Sequence, residues 1–148
     1  MVQDLERQIE AEYERDLEFH GFRPVDPDRL GDLVCGLAGA CPDLFKRKLA
    51  RLLWLIDFSY FRRQRRTVTG LAYARLPYGS IPDHYQMVLA ALEEMGAISL
   101  VPRQAGSYEG EVIKPLREAD LEAFTEGEQQ IIRAVMEQFA HWTSSELT

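Results

Sequence analysis

Side chains that hold metals or attack substrates are scarce in this chain. Of its 148 residues only two are cysteine and three are histidine. Cys35 and Cys41 lack the paired spacing of a zinc site, and His20, His84 and His141 lie far apart, so no metal is expected and both thiols read as ordinary buried or half-buried groups. There is no phosphate-binding Gly/Lys loop and no dinucleotide fingerprint. Ser80, Ser144 and Ser145 have no nucleophile setting, and the single Asp83-His84 pair does not make a triad. Neither catalysis nor a cofactor is expected. The longest apolar run is far too short to cross a bilayer, and no basic amino-terminal region leads into a secretory hydrophobic segment. The expected residence is cytoplasmic, away from membranes.

Positive charge is also in short supply overall, with a formal net charge of −7. The deficit is uneven: residues 1–45 carry 11 acidic and 4 basic side chains, whereas 46–66 carry 8 basic and 1 acidic. Such a balance supports solubility and gives no global pull toward nucleic acid, while the basic cluster suits an acidic protein surface. With 46% hydrophobic residues, the chain has enough apolar material for one domain with a real core.

Residues 3–20 favour helix, with Leu5, Ile9, Tyr13 and Leu17 as a narrow apolar stripe and Gly21 and Pro24 as a stop. A narrow stripe on a highly charged helix predicts an amino-terminal helical arm or linker over 1–24, suited to self-association or to the end of a missing upstream domain. Asp26 or Asp28 caps the next helix, with Pro27 in its first turn and Leu30, Leu33, Val34 and Leu37 on its apolar face. Cys41-Pro42-Asp43 supplies a break and a new cap. A third helix is predicted over 43–64, where Trp54, Leu55, Phe58 and Phe61 extend the apolar face around the cylinder and imply burial on several sides. The arginines that follow favour its carboxyl end.

The period then changes. Val68 to Leu76 reads as a turn entering a short strand, with Pro77, Gly79 and Pro82 constraining the exit. A further helix carries Tyr85, Val88, Leu89 and Leu92 and stops at Gly96. Two strands, 97–101 and 111–114, flank a polar stretch at 103–110 that holds Arg103 but no basic run, so DNA binding through this hairpin is not expected. Thr125 and Glu128 have capping-box spacing at the start of a helix with Ile131, Ile132, Val135, Met136 and Phe139 inward. Thr143 and Glu146 repeat that spacing just before the chain stops. The expected fold is α+β: a mainly helical single domain around a central buried helix, with a small antiparallel sheet from segments near 71–76, 97–101 and 111–115.

Four segments, taken together, resemble one family. They are Lys48-Leu49 through Trp54-Leu55-Ile56-Asp57-Phe58, then Thr69-Gly70-Leu71-Ala72-Tyr73, then Tyr78-Gly79-Ser80-Ile81-Pro82, and finally Thr143-Ser144-Ser145-Glu146-Leu147-Thr148. Their order is similar to that of the Panacea domain of SocA-like antitoxins, also found in phage-associated proteins. The likeness covers about residues 26–148 and implies a domain over 25–148, truncated at its carboxyl end. Where the family commonly has Tyr-Gly-Pro, this chain has Tyr78-Gly79-Ser80. The resemblance implies a compact antitoxin domain that neutralises a cognate protein toxin by direct non-covalent binding. The alternative is an interaction or regulatory domain of a transcription regulator or a protease adaptor. In those settings the partner is a cytoplasmic protease, or nucleic acid reached only through a missing upstream domain.

Within that frame, Asp57 is the most informative polar residue. An isolated carboxylate in an apolar helix must find hydrogen bonds or stay wet. It is expected to fix the Thr69-Gly70 turn, either shaping a toxin-facing surface or serving the fold alone. Tyr73 and Tyr78, with Arg75, are candidates to frame an exposed groove. Core packing for Tyr73 and simple turn formation for Tyr78 are the competing readings. Gly79, Ser80 and Pro82 restrict the same loop. Arg62, Arg63, Arg65 and Arg66 are candidates to meet an acidic toxin surface, against solvated helix-end charge or phosphate binding.

Overall fold

The computed structural model describes residues 25–77 and 79–143. The amino-terminal arm, Tyr78 and most of the last resemblance segment lie outside the described residues. Within them the architecture is mixed α+β, with four α-helices, one 3-10 turn and two separate two-stranded antiparallel hairpins.

The first helix, α1 (Pro27–Ala40), starts as its sequence dictates. Asp26 caps it by accepting from the amides of Asp28 and Arg29 at 3.0 and 3.4 Å, and Pro27 occupies the first turn, where its missing N–H costs nothing. The central helix, α2 (Lys46–Gln64), buries 12 of its 19 residues, so it is wrapped on more than one side, as its broad apolar face requires. Its start differs from expectation. Asp43 does not cap it, because Leu44 and Phe45 are drawn into extended pairing: the Leu44 carbonyl accepts from the Ile113 amide at 2.8 Å, and Phe45 bridges Val112. Asp43 instead has φ +47 and pairs with Arg103.

After α2 the chain forms β1 (Tyr73–Leu76) and β2 (Gly79–Pro82), in antiparallel register from Tyr73↔Pro82 to Leu76↔Gly79. The expected three-segment sheet is therefore corrected. Segment 73–76 finds its partner immediately downstream, in a stretch rich in loop-formers, and does not join the later strands. Gly79 makes the tight return possible with φ +121, a conformation that side-chain-bearing residues rarely adopt. Pro82 sits at the strand end, where the ladder can spare an N–H.

The third helix, α3 (Tyr85–Glu94), ends at Met95-Gly96, with Gly96 at φ +82. Strands β3 (Ile98–Ala105) and β4 (Tyr108–Pro115) then pair over their full length, longer than their apolar segments suggested. The polar half of each strand extends beyond the core, around a tight turn with Gly106 at φ +62. A 3-10 turn (Leu121–Ala123) leads to α4 (Glu126–Phe139), which opens with the predicted reciprocal capping box of Thr125 and Glu128.

Packing places α2 between α4 and the β1–β2 hairpin, while α1 lies on the β3–β4 hairpin. Leu33, Leu37, Leu49, Leu52, Ile56 and Ile132 are fully sealed in the shared core. One side chain joins distant parts of it. Arg29 on α1 donates Nη2 to both Glu128 carboxylate oxygens at 3.1 and 3.2 Å, Nη1 to the Val68 carbonyl at 3.3 Å, and Nε to the Ala123 carbonyl at 3.3 Å. Its guanidinium also lies 4.6 Å from the centre of the Phe124 ring.

Candidate functional site

Asp57 reaches the inner face of α2 with no solvent exposure. Its Oδ1 accepts from the amides of Val68 and Thr69, both at 2.9 Å. Its Oδ2 accepts from the Tyr73 hydroxyl at 2.6 Å and from the Thr69 hydroxyl. The turn is laced further by its own threonines: the Gly70 amide donates to Thr67 Oγ1 at 3.2 Å, and the Leu71 amide to Thr69 Oγ1 at 3.0 Å. Gly70 takes φ +81, which explains glycine there. Burial pushes the Asp57 carboxyl above its ordinary value, and the bonds from Thr69, Tyr73 and the two amides offset part of that rise. Four donors on a sealed carboxylate make an anchor, with no oxygen turned toward a substrate.

Tyr73 carries the knot outward to the first hairpin. Its hydroxyl is on Asp57, and its ring stands edge-on to Phe58 at 5.6 Å. Phe58 stacks on Trp54 at 4.9 Å, and the Arg51 guanidinium lies 4.9 Å from the Trp54 ring centre. Arg51 in turn packs under Gly79: a Cβ on that glycine would come within 2.6 Å of the arginine Nη1. Arg51 and Trp54 were not among the sequence candidates, although their spacing of three on one helix permits a cation–π pair. The strand β2 that lies over them holds Ser80 and Pro82 buried, while Arg75, opposite Ser80 in register, is exposed. The structure thus gathers Asp57, Thr69, Gly70, Tyr73, Gly79, Ser80 and Pro82 into one scaffold.

The arginines are not one patch. Arg62, Arg63, Arg65 and Arg66 are all exposed at the end of α2. Arg65 closes that helix in the left-handed conformation and lies 5.4 Å from the Phe61 ring centre. Arg62 and Arg63 instead line a groove of about 520 Å³ between α2 and α4, with Leu55, Val135 and Phe139 in its lining.

A second groove, of about 450 Å³, opens at the start of α2 beside the β3–β4 tip, lined in part by Phe45, Arg47, Lys48, Tyr108 and Trp142. Lys48 is buried and donates to the Ala140 carbonyl, where a cation complements the carboxyl end of α4. Nearby, burial raises the Cys41 thiol above its ordinary value and Lys48 pulls it partly back, an environment that keeps the sulfur protonated and unreactive. Arg103 at the hairpin is committed to Asp43, so this tip presents no basic wing. Among the described residues no group of three or more His, Cys, Asp and Glu side chains is placed to hold a metal, and no helix is long and apolar enough to cross a membrane.

No curated protein and no solved structure matches the chain. The profile of one family, antitoxin SocA-like, Panacea domain, matches residues 49–148. That span begins inside α2 and contains Asp57, the turn it ties and the whole first hairpin, and by it the chain belongs to the SocA-like Panacea family.

Proposed function

We propose that this chain is an antitoxin domain that neutralises a cognate protein toxin by direct, stoichiometric, non-covalent binding. Its family is linked broadly with toxin–antitoxin regulation. The observation that carries the finer reading is the convergence on Asp57. Two of the four segments that carry the family likeness meet directly there, Asp57 holding Thr69 and Tyr73, and the ladder from Tyr73 to Pro82 ties β2 to the same knot, with Arg75 exposed on the hairpin. A hairpin fixed from beneath loses little freedom when a partner docks, and that preorganisation favours tight protein binding.

The test is co-expression of the chain with the product of the neighbouring reading frame. Growth rescue together with co-purification of the two proteins in fixed ratio is the expected result. Failure of both overturns the proposal. For the hairpin face, Arg75→Glu is expected to weaken toxin binding about 10-fold through lost charge complementarity, with the circular dichroism spectrum unchanged. Full affinity in that variant removes the hairpin face from the interface.

A further inference from the structure

One ring contact links the two grooves. Phe139 lines the α2–α4 groove and Trp142 lines the other, and their rings stand edge to face with centroids 5.0 Å apart. Trp142 is 41% exposed. The strip that results has an apolar floor, from Leu55 and Val135 through Phe139 to Trp142 and Tyr108.

Among the described residues its lining is richer in basic than in acidic side chains. Arg62 and Arg63 stand at one end, and Arg47 and Lys48 line the other. The single carboxylate lining either groove among the described residues, Asp43, is already paired with Arg103. On α4, helical spacing puts Glu126 and Glu137 on the side opposite Ile131, Val135 and Gln138. Glu128 is buried against Arg29. In a chain of net charge −7, this strip is a local exception.

We infer that this strip docks an acidic amphipathic helix of the protein toxin. The inference rests on the antitoxin reading and assigns the chemistry of the partner's contact surface. A groove between two helices accepts a third by ridge packing, with apolar side chains of the incoming helix on the floor and its carboxylates toward Arg62 and Arg63. A protein is favoured over nucleic acid because the floor is apolar and the rest of the chain repels a phosphate backbone.

The experiment measures affinity of the full chain for the co-purified neighbour protein by titration calorimetry at two salt concentrations. The wild type is compared with the double variant Arg62→Glu, Arg63→Glu and with Arg133→Glu on the opposite face of α4. All substituted side chains are exposed, and circular dichroism checks that each variant is folded. The double variant is expected to bind about 10- to 100-fold more weakly, and Arg133→Glu to bind like the wild type. Equal binding by the double variant, or an equal loss in Arg133→Glu, overturns the groove and leaves the antitoxin reading standing. A double variant that changes only self-association in sedimentation shows a second copy as the occupant and likewise overturns it. If the wild type ignores the neighbour protein, both proposals fall. A mixed-sequence DNA duplex that the wild type binds and the double variant does not then identifies the strip as a phosphate site.

Discussion

Replacing Asp57 with alanine removes, in one step, the acceptor for four donors. Two are amides, of Val68 and Thr69, each 2.9 Å from Oδ1 and both in buried residues. The other two are hydroxyls, which can rotate toward other acceptors, so the amides dominate the cost. A buried donor left unsatisfied costs about 1–3 kcal/mol, or about 2–6 kcal/mol for the pair. Relief from keeping a carboxyl dry offsets part of this, and the net expectation is a loss of about 3 kcal/mol. Asp57→Asn keeps an oxygen for the amides and offers an NH2 to hydroxyls that can accept, so its loss at neutral pH is expected near 1 kcal/mol. Urea denaturation followed by circular dichroism measures both, and hydrogen exchange at the Val68 and Thr69 amides localises the effect. The pH dependence has a definite sign. Burial raises the folded carboxyl above its unfolded value, so its contribution is complete below the unfolded value and is lost as pH rises through the folded one. Asparagine lacks that slope, and the stability difference must move in its favour with rising pH. An alanine variant within 1 kcal/mol of wild type, or parallel pH profiles for wild type and Asp57→Asn, would refute the anchor.

Three other perturbations probe different parts of the same scaffold. Glu128→Ala strands the Arg29 guanidinium and breaks the capping box, for an expected loss of about 3–5 kcal/mol by chemical denaturation, whereas Thr125→Ala, which loses only the cap, costs about 1 kcal/mol. Gly79→Ala combines φ +121 with a clash on Arg51, and a loss of about 2 kcal/mol, read as a lowered Tm, is expected. Ile132→Ala opens a cavity at a fully sealed position and is expected to cost about 2–5 kcal/mol, while an unchanged denaturation midpoint contradicts the assigned core.

Where a signal is local, the sequence announces it. Asp26-Pro27 and Thr125 with Glu128 mark helix starts through bonds spanning only a few residues, and Gly96 marks a stop. The burial of α2 on several sides is written in its apolar residues, because no single stripe accommodates Trp54, Phe58 and Ile56 together. The misread places depend on partners far away in sequence. Cys41-Pro42-Asp43 has the composition of a cap, but the β4 strand claims Leu44 and Phe45 first. Gly79 to Pro82 has the composition of a loop and becomes a strand because β1 supplies the ladder. The Asp57 turn is legible from the cost of an unpaired carboxylate, whereas the Tyr73 hydroxyl on its second oxygen is not. Nor does spacing along the chain reveal that Arg62 and Arg63 face α4 while Arg65 turns to Phe61.

The Arg29 clamp bears on when the fold closes during synthesis. Its contacts join α1 to residues 39, 94 and 99 positions later, and such non-local closures come late in folding. A ribosome-bound chain that has not yet exposed Glu128 has a guanidinium on α1 without its carboxylate. A stalled chain of that length is expected to leave α1 open to limited proteolysis, and protection there before Glu128 emerges would contradict the order. Translation time thus becomes a built-in delay between starting the chain and having a closed domain.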